Sequence, residues 1–226
     1  MALSDLFSRR RKEHAEPEAG AADAPVHATK ALARFITGLS TRSQPVLLDL
    51  GPVIGSNLSF FGDELGCKFI VENLYKDVEQ HAGELVEQFP AFLRKRFSQS
   101  PASIDGILCW DLFDYLDKAS AQSLAEQLIR LLRPEGVLLA FFGTMEPRPG
   151  QRAEYTRHVV VDRTTVQHRS YPAARPKQRP IPNRDILRLF EPLRVVEQFL
   201  LKTNLREILF RKPPDTTGPE TVAPST

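Results

Sequence analysis

The feature that most constrains the fold is a series of short apolar runs that alternate with amphipathic segments. Four runs read as buried strands: PVLLDLG (45–51), CKFIVENL (67–74), SIDGILCWDL (103–112) and VLLAFFG (137–143). Between the last two, SAQSLAEQLIRLLRPEG (120–136) has the apolar period of a helix that packs on a sheet. This alternation predicts a mostly parallel sheet with helices on both faces.

The C-terminal part of the chain departs from this alternation. LRVVEQFLL (193–201) and LREILFRK (205–212) both read as strands, and only KTN (202–204) separates them. Three residues cannot cross over a sheet, so these two strands must be antiparallel neighbours. The resulting prediction is a three-layer α/β sandwich whose parallel sheet is closed by one antiparallel hairpin.

Length and composition limit the classes of protein to consider. A chain of 226 residues has enough material for one domain, and a net charge of +2 gives no general reason to expect nucleic acid as a partner. Cys67 and Cys109 suggest neither a disulfide framework nor a zinc site. We therefore expect free thiols, a cytoplasmic setting and no metal. No apolar run reaches the ~18 residues that a transmembrane helix needs.

The two ends of the chain differ in composition from its middle. Residues 1–26 are rich in charged residues, Ala and Pro, and residues 213–226 are rich in Pro and Thr, so we expect two disordered tails around a domain at 27–212. Residues 1–12 combine apolar residues with a basic cluster. We expect a solvated tail there, and a weak contact with an anionic membrane is the alternative.

The stretch VLLDLGPVIGSN (46–57) reads as a strand that ends in a turn built to hold a ligand. Gly51 and Gly55 let the backbone approach a ligand where a side chain would block it. Glu72 ends the next strand, 17 residues after Gly55. A carboxylate at that place can accept hydrogen bonds from both hydroxyls of a ribose. A glycine-rich turn alone is common to many folds, whereas the turn, helix, strand and acid in this order indicate a nucleoside site.

On these residues the chain resembles the class I S-adenosylmethionine-dependent methyltransferases, over residues 30–212. The family's first motif, D-x-G-x-G-x-G, corresponds to DLGPVIG (49–55), and the acid of its second strand corresponds to Glu72. Its fourth-strand pattern, F-D-x-h-x-x-x-D-h-h-E-H with h apolar, is followed closely by IDGILCWDLFDY (104–115). LIRLLRPEGVLLAFF (128–142) resembles the family's helix, Pro-Gly turn and fifth strand.

The resemblance implies a Rossmann-like methyltransferase fold with seven strands, and S-adenosylmethionine as the cofactor. It implies a cofactor pocket between the first turn, the second-strand acid and Asp111, which would lie near the amino-acid or sulfonium end. The implied cofactor-binding residues are Asp49, Gly51, Gly55, Glu72 and Asp111. No dedicated base stands out, and the catalytic candidates are Asp111, Tyr115 and His158.

Three positions depart from the family pattern. Val53 replaces the middle glycine of the first motif, so its side chain would crowd the methionine part of the cofactor. FLRKRF (92–97) stands where the third strand is expected, but it is basic and reads equally well as helix, so that strand is reduced or absent. Tyr115 replaces a common histidine, and a phenol with a pKa of ~10 is a poor base at neutral pH.

A basic insertion (~148–180) follows the fifth strand. Residues 148–179 hold eight Lys or Arg and two acids, and YTRHVVVDRTTVQHRSY (155–171) reads as a hairpin that turns near Asp162. Over the strand ends, Arg157 and Arg169 would bind an anionic group of a substrate. The alternative is a solvated hairpin that covers the sheet edge. We expect His158 and His168 at its surface.

Three functions remain open from the sequence. The leading one is methyl transfer from S-adenosylmethionine to an unidentified small molecule, for which the basic insertion suggests an anionic group. The second is a catalytically inactive binding or regulatory protein with the same fold, because Val53 is present and the acid that meets the adenine is missing. The third, a nucleic-acid modifier, rests on the basic hairpin alone and lacks the Asn/Asp-Pro-Pro-Tyr type of motif.

Overall fold

The computed structural model of the protein describes residues 24–81, 83–148 and 150–215. The predicted tails, 1–26 and 213–226, fall almost entirely outside these ranges, as does the whole of residues 1–12. Over the described ranges, no helix is both long enough and apolar enough to cross a bilayer.

The described residues form two sheets. Their strands are β1 (Val26–Ala28), β2 (Val46–Asp49), β3 (Lys68–Val71), β4 (Ile104–Trp110), β5 (Leu132–Gly143), β6 (Glu154–Val160), β7 (Thr165–Pro172), β8 (Arg194–Leu200) and β9 (Leu205–Arg211). The central sheet has the strand order β3-β2-β4-β5-β9-β8, and a smaller sheet has the order β1-β7-β6.

Helices lie between these strands along the chain. They are α1 (Ala31–Leu39), α2 (Gly55–Leu58), α3 (Leu74–Gln80), α4 (Phe89–Arg96), α5 (Lys118–Leu131) and α6 (Asn183–Leu189). A π-helical stretch, Ser59–Glu64, continues α2, and a 3₁₀ turn, Leu112–Tyr115, follows β4.

The predicted pairing of the strands is confirmed. In the central sheet β2 pairs in parallel with β3 and β4, and β4 pairs in parallel with β5. Strand β9 lies between β5 and β8 and is antiparallel to both. The fold is therefore a three-layer α/β sandwich with a mostly parallel sheet and an antiparallel C-terminal hairpin.

The expected count of seven strands is wrong by one within the described residues. Segment 92–97, the place of the family's third strand, lies mainly in helix α4. Its sequence favours a helix, because a proline stands in the first turn and Arg94, Lys95 and Arg96 stand in the last. Phe89 and Leu93, four residues apart, bury the same face. The third strand is absent here, and the central sheet has six strands.

Alternation along the strands builds two apolar cores. Leu48 and Ile107 face the core that holds α4 and α5, whereas Leu47 and Leu108 face the core that holds α1. Strand β4 is buried along its whole length, as a central parallel strand should be. Cys67 and Cys109 are buried free thiols on opposite sides of the sheet.

The insertion folds as the predicted hairpin. Strands β6 and β7 are antiparallel, and the chain turns over residues 161–164. Strand β1 pairs antiparallel with β7, on the side of β7 that does not face β6. Val160 and Val166, which face each other across the hairpin, belong to the same apolar core as α1. The hairpin is thus part of the packed domain.

Candidate active site

Three neighbouring strands end at one edge of the central sheet. β2 ends at Asp49, β3 ends just before Glu72, and β4 ends just before Asp111. Because the three strands are adjacent and parallel, their carboxyl ends meet where ligands bind in open α/β sheets. The sequence-predicted residues of the cofactor pocket therefore lie along this one edge.

The side chain of Asp49 holds the turn after β2 from the inside. Its Oδ1 accepts hydrogen bonds from the Gly51 N–H at 2.8 Å and from Trp110 Nε1 at 2.7 Å. Burial raises the pKa of Asp49 to about 7, although both hydrogen bonds act in the opposite direction. A Cβ on Gly51 would lie 3.0 Å from Trp110 Cδ1. This glycine therefore leaves room for the indole ring.

The outer side of the same turn is open. A Cβ on Gly55 would meet no atom within 4 Å, and the Val53 side chain is 61% exposed. The valine that replaces the family's middle glycine is therefore exposed and does not belong to the core. Backbone at this end of the turn is accessible to a ligand.

Glu72, the expected ribose partner, is paired with other residues of the chain. Its carboxylate accepts hydrogen bonds from Arg96 Nη1 at 2.6 Å and from Gln99 Nε2 at 2.5 Å. Arg96 also bonds the Glu72 carbonyl at 2.8 Å and Asp77 at 2.7 Å. The basic segment that replaces the third strand thus supplies the cation for this carboxylate.

Asp111 is the centre of a buried charged cluster. Its Oδ1 accepts hydrogen bonds from Tyr75 OH and from His158 Nε2, the latter at 2.9 Å. Its Oδ2 lies 2.6 Å from Lys177 Nζ, which also lies 3.0 Å from Asp114 Oδ2.

The pKa values of the two carboxyl groups in this cluster, Asp111 and Asp114, are shifted in opposite directions. Burial acts to raise the pKa of Asp111, but Lys177 and His158 outweigh it and hold that pKa well below its usual range. Burial and the neighbouring Asp111 charge raise the pKa of Asp114, although Lys177 acts to lower it. Because Asp111 is ionised, it accepts the hydrogen bond and His158 Nε2 donates it.

His158 lies in the core, so its expected surface position is wrong. Its ring stacks on Trp110 with 5.0 Å between ring centres and packs edge-on against Phe141. Its buried Nδ1 has no hydrogen-bond partner in the part of the chain that the structure describes. The alternation of β6 explains this placement, because it turns His158 to the same side as the core residue Val160.

Asn57 fixes this strand in place. Its Nδ2 donates to the His158 carbonyl at 2.9 Å, and its Oδ1 accepts from the Val160 N–H at 2.8 Å. The Asn57 side chain is fully buried. Its two hydrogen bonds take the place of those that the backbone of a neighbouring strand would make to this part of β6. Sequence reasoning missed this role, because no local pattern links residue 57 to a strand about a hundred residues later.

The other catalytic candidate, Tyr115, fastens the insertion. Its hydroxyl donates to the Glu154 carbonyl at 2.9 Å, and its ring packs against Tyr75. Burial, together with nearby carboxylates, raises the pKa of Tyr115 above its ordinary value of 10. The phenolate that a general base requires is therefore populated at neutral pH even less than the residue type suggests.

Arg157 and Arg169, the expected substrate residues, contact other side chains of the hairpin. The Arg157 guanidinium lies 4.1 Å from the ring centre of Tyr171 and donates to Tyr155 OH at 3.0 Å. Arg169 Nε donates to Gln167 Oε1 at 2.8 Å. Both arginines belong to the insertion, as predicted, and both are half-buried.

Residues 173–182, here called the strap, separate two cavities. One, of about 910 Å³, lies between strap residues 178–182, the start of α5 and α6. The other, of about 710 Å³, is lined by Pro176, Lys177 and parts of segment 145–156. Neither cavity is lined by Gly51, Glu72 or Asp111, so neither is the pocket that the sequence predicts.

The structure also places residues that sequence reasoning did not single out. Tyr75, Asp114 and Lys177 complete the cluster around Asp111. Lys177 stood within a basic, proline-rich stretch, but nothing marked it from its neighbours. No group of three or more His, Cys, Asp or Glu side chains within the described ranges is arranged to hold a metal ion.

Comparisons with known proteins find similarity in solved structures only. No family model and no curated protein matches the sequence. The methyltransferase CcbJ from Streptomyces caelestis is 12% identical with a TM-score of 0.48, over 80% of this chain and 93% of that one. The 1,6-didemethyltoxoflavin-N1-methyltransferase of Burkholderia thailandensis is 16% identical with a TM-score of 0.45, over 81% of this chain and 77% of that one.

A third similar structure is the glycopeptide N-methyltransferase MtfA complexed with S-adenosylmethionine. It is 16% identical with a TM-score of 0.42, over 80% of this chain and 92% of that one. At such identities the likeness concerns the fold and not the substrate. The parallel strands and the antiparallel C-terminal hairpin of this chain agree with the fold that the resemblance to class I S-adenosylmethionine-dependent methyltransferases implies.

Proposed function

We propose that the protein transfers a methyl group from S-adenosylmethionine to a small molecule. The observation that supports this most is the meeting of the first turn, Glu72 and Asp111 at the ends of three adjacent parallel strands. An open α/β sheet binds its ligands at such a place.

The residues at this edge offer an accessible backbone and two carboxylates, which are the groups that a site for S-adenosylmethionine needs. The turn is open beside Gly55, where an added Cβ would meet no atom within 4 Å, so backbone is accessible on that side. Glu72 and Asp111 offer the acceptors that a ribose and an ammonium group require. In the structure both carboxylates accept hydrogen bonds from cationic side chains of the chain. Binding therefore requires that these acceptors exchange or share partners.

The bound cofactor would supply an already activated methyl group, so the chain has to position the acceptor and exclude water. Glu72 would accept from the ribose hydroxyls, and Asp111 would accept from the amino-acid end. Asp111 also orients His158 through Nε2. Because Tyr115 has a raised pKa and donates to a carbonyl, we assign it no proton transfer. The substrate atom that receives the methyl group then loses its proton to solvent or before the substrate binds.

Calorimetric titration with S-adenosylmethionine tests the proposal directly. We expect micromolar binding to the wild type and a loss of more than about tenfold, or ~1.4 kcal/mol, in Glu72→Ala. Arg184→Ala is the matched control, because Arg184 is an exposed residue on α6 far along the chain from these anchors. No heat at millimolar cofactor would exclude the proposal.

The second candidate is an inactive binding or regulatory protein with the same fold. Two observations favour it: the chain's own cations pair with both expected anchors, and valine stands in the first motif. This candidate predicts little or no binding by the wild type and a gain of affinity in Val53→Gly. Micromolar binding by the wild type, together with a tenfold loss in Glu72→Ala, would rule it out.

We propose an anionic small molecule as the substrate, bound through Arg157 and Arg169. The support is the basic character of the insertion that carries them. Charge reversal at either arginine should weaken substrate use and leave cofactor affinity within about threefold, a change of ~0.7 kcal/mol. Loss of cofactor binding in both folded variants would instead assign the insertion to the cofactor site.

A cytoplasmic location, suggested by the buried free thiols, is also a proposal.

A further inference from the structure

The strap (residues 173–182) lies across the carboxyl end of β4. Its backbone is attached at three places: the Ala173 N–H donates to the Ala153 carbonyl at 2.9 Å, the Ala174 N–H to Glu79 Oε1 at 2.9 Å, and the Gln178 N–H to the Asp114 carbonyl at 2.6 Å. These bonds join the strap to α3, to the 3₁₀ turn after β4 and to the start of the insertion. They hold Lys177 in one position.

Lys177 supplies a cation to two buried carboxylates. Its Nζ lies 2.6 Å from Asp111 and 3.0 Å from Asp114, and the Asp111 and Asp114 side chains are 2% and 4% exposed. Two carboxylates this close to each other in the interior repel and are costly without a nearby positive charge. The Lys177 ammonium provides that charge, and it comes from a loop rather than from a helix or strand of the domain.

A lysine side chain ends in a primary ammonium, and so does the amino-acid end of S-adenosylmethionine. Asp111 has little capacity for a second ammonium while Tyr75, His158 and Lys177 all donate to it. The Lys177 side chain is 30% exposed, so it has a path to solvent that the two carboxylates lack. Lys177 is therefore the member of the cluster that can leave.

We propose that the strap is an autoinhibitory element, in which the Lys177 ammonium occupies the place that the ammonium of the cofactor takes on binding. This inference rests on the proposed function. Cofactor binding then includes an exchange of one ammonium for another on Asp111 and Asp114, and the strap moves away as Lys177 leaves. The exchange keeps the two carboxylates neutralised in both states.

Calorimetry on Lys177→Met separates this role from a purely structural one. Methionine keeps the length of the stem and removes the charge, so S-adenosylmethionine should bind at least about tenfold more tightly than to the wild type. 5′-Methylthioadenosine, which lacks the amino-acid end, should change by less than about threefold. Lys177→Arg should behave like the wild type, and Lys202→Met, at an exposed lysine in the β8–β9 turn, is the matched control.

The outcomes of this experiment distinguish a failure of the autoinhibitory role from a failure of the proposed function. Wild-type binding with no gain in Lys177→Met would overturn the autoinhibitory role and leave the proposed function standing. Binding by Lys177→Met alone would support the autoinhibitory role and would contradict the proposed activity of the wild type, which would then bind no cofactor. No binding by either protein would remove the proposed function and this inference together. An equal gain for 5′-methylthioadenosine would also overturn the exchange of ammonium groups.

Hydrogen exchange on the wild type gives a second test, which does not depend on the folding of any variant. The amides of Ala173, Ala174 and Gln178 report directly on the attachment of the strap. Saturating S-adenosylmethionine should speed their exchange, while the amides of β4 stay protected. Slower exchange at all three strap amides would mean that the cofactor closes the strap, and would overturn the proposal.

Discussion

Trp110 Nε1 donates a hydrogen bond to Oδ1 of Asp49 at 2.7 Å and so links the end of β4 to the end of β2. The same oxygen accepts from the Gly51 N–H, which closes the turn. The link is fully buried, with 1% of Asp49 and 2% of Trp110 exposed. Turn geometry at the candidate site therefore depends on a side chain from a strand about sixty residues away.

Asp49→Asn should change how stability depends on pH. The folded-state pKa of about 7 lies above the ordinary 3.8, so the wild type loses stability as pH rises through that interval. The amide keeps an oxygen acceptor without a charge. Between pH 4.5 and 7 the variant should gain on the order of 2–3 kcal/mol relative to the wild type, at ~1.4 kcal/mol per pKa unit.

Urea unfolding of both proteins at several pH values measures this difference. Burial lowers the pKa of His168 to about 3, which destabilises the fold as pH falls below its ordinary 6.5. That effect is common to both proteins and cancels in the comparison. A difference between them that stays constant from pH 4.5 to 7 would show that Asp49 does not titrate there.

Gly51→Ala and Gly55→Ala should differ sharply, although both change the first motif in the same way. The new Cβ at residue 51 would lie 3.0 Å from Trp110 and 3.1 Å from Asp49, so we expect a loss of about 1–3 kcal/mol in unfolding free energy. At residue 55 it meets nothing, and stability should stay within ~0.5 kcal/mol. Equal losses in chemical denaturation would contradict this reading of the turn.

Asn57→Ala should loosen the hairpin from the domain. It removes two buried hydrogen bonds and leaves the His158 carbonyl and the Val160 N–H unsatisfied, at a cost of about 2–4 kcal/mol. Hydrogen exchange at residues 158–160 should quicken more than exchange in β4. Gln122→Ala, at an exposed position on α5, is the control and should change stability little. Unchanged exchange in β6 would refute the role of Asn57.

Glu207→Gln should weaken the start of helix α1. The buried carboxylate Oε2 of Glu207 accepts from the N–H groups of Lys30 and Ala31, at 3.0 and 3.1 Å. A negative charge there also complements the positive helix end, so its loss should cost about 1–2 kcal/mol. The exposed Glu126→Gln is the control. Thermal unfolding of both variants decides the matter, and equal melting temperatures would contradict the prediction.

Much of the fold was predictable because it depends on local patterns. The apolar runs around Leu48 and Ile107 are strands because their residues are buried on both faces, and KTN is too short for anything other than an antiparallel turn. The edge of the sheet that gathers Gly51, Glu72 and Asp111 follows from the order of these elements. The third strand was harder, because FLRKRF alone reads as a helix or a strand, and the helix is favoured only when the preceding Phe89 and the proline of the first turn are included.

What the sequence by itself determined was the topology and the position of the candidate site within it. Only the tertiary structure decided the partners of the site residues: Arg96 for Glu72, Lys177 and His158 for Asp111, and Asn57 for β6. The physical reason is that secondary structure follows from periodicities over a few residues, whereas these hydrogen bonds and ion pairs join groups 24 to 101 residues apart. Such pairs have no local pattern, since they form only once packing has brought their strands and loops together.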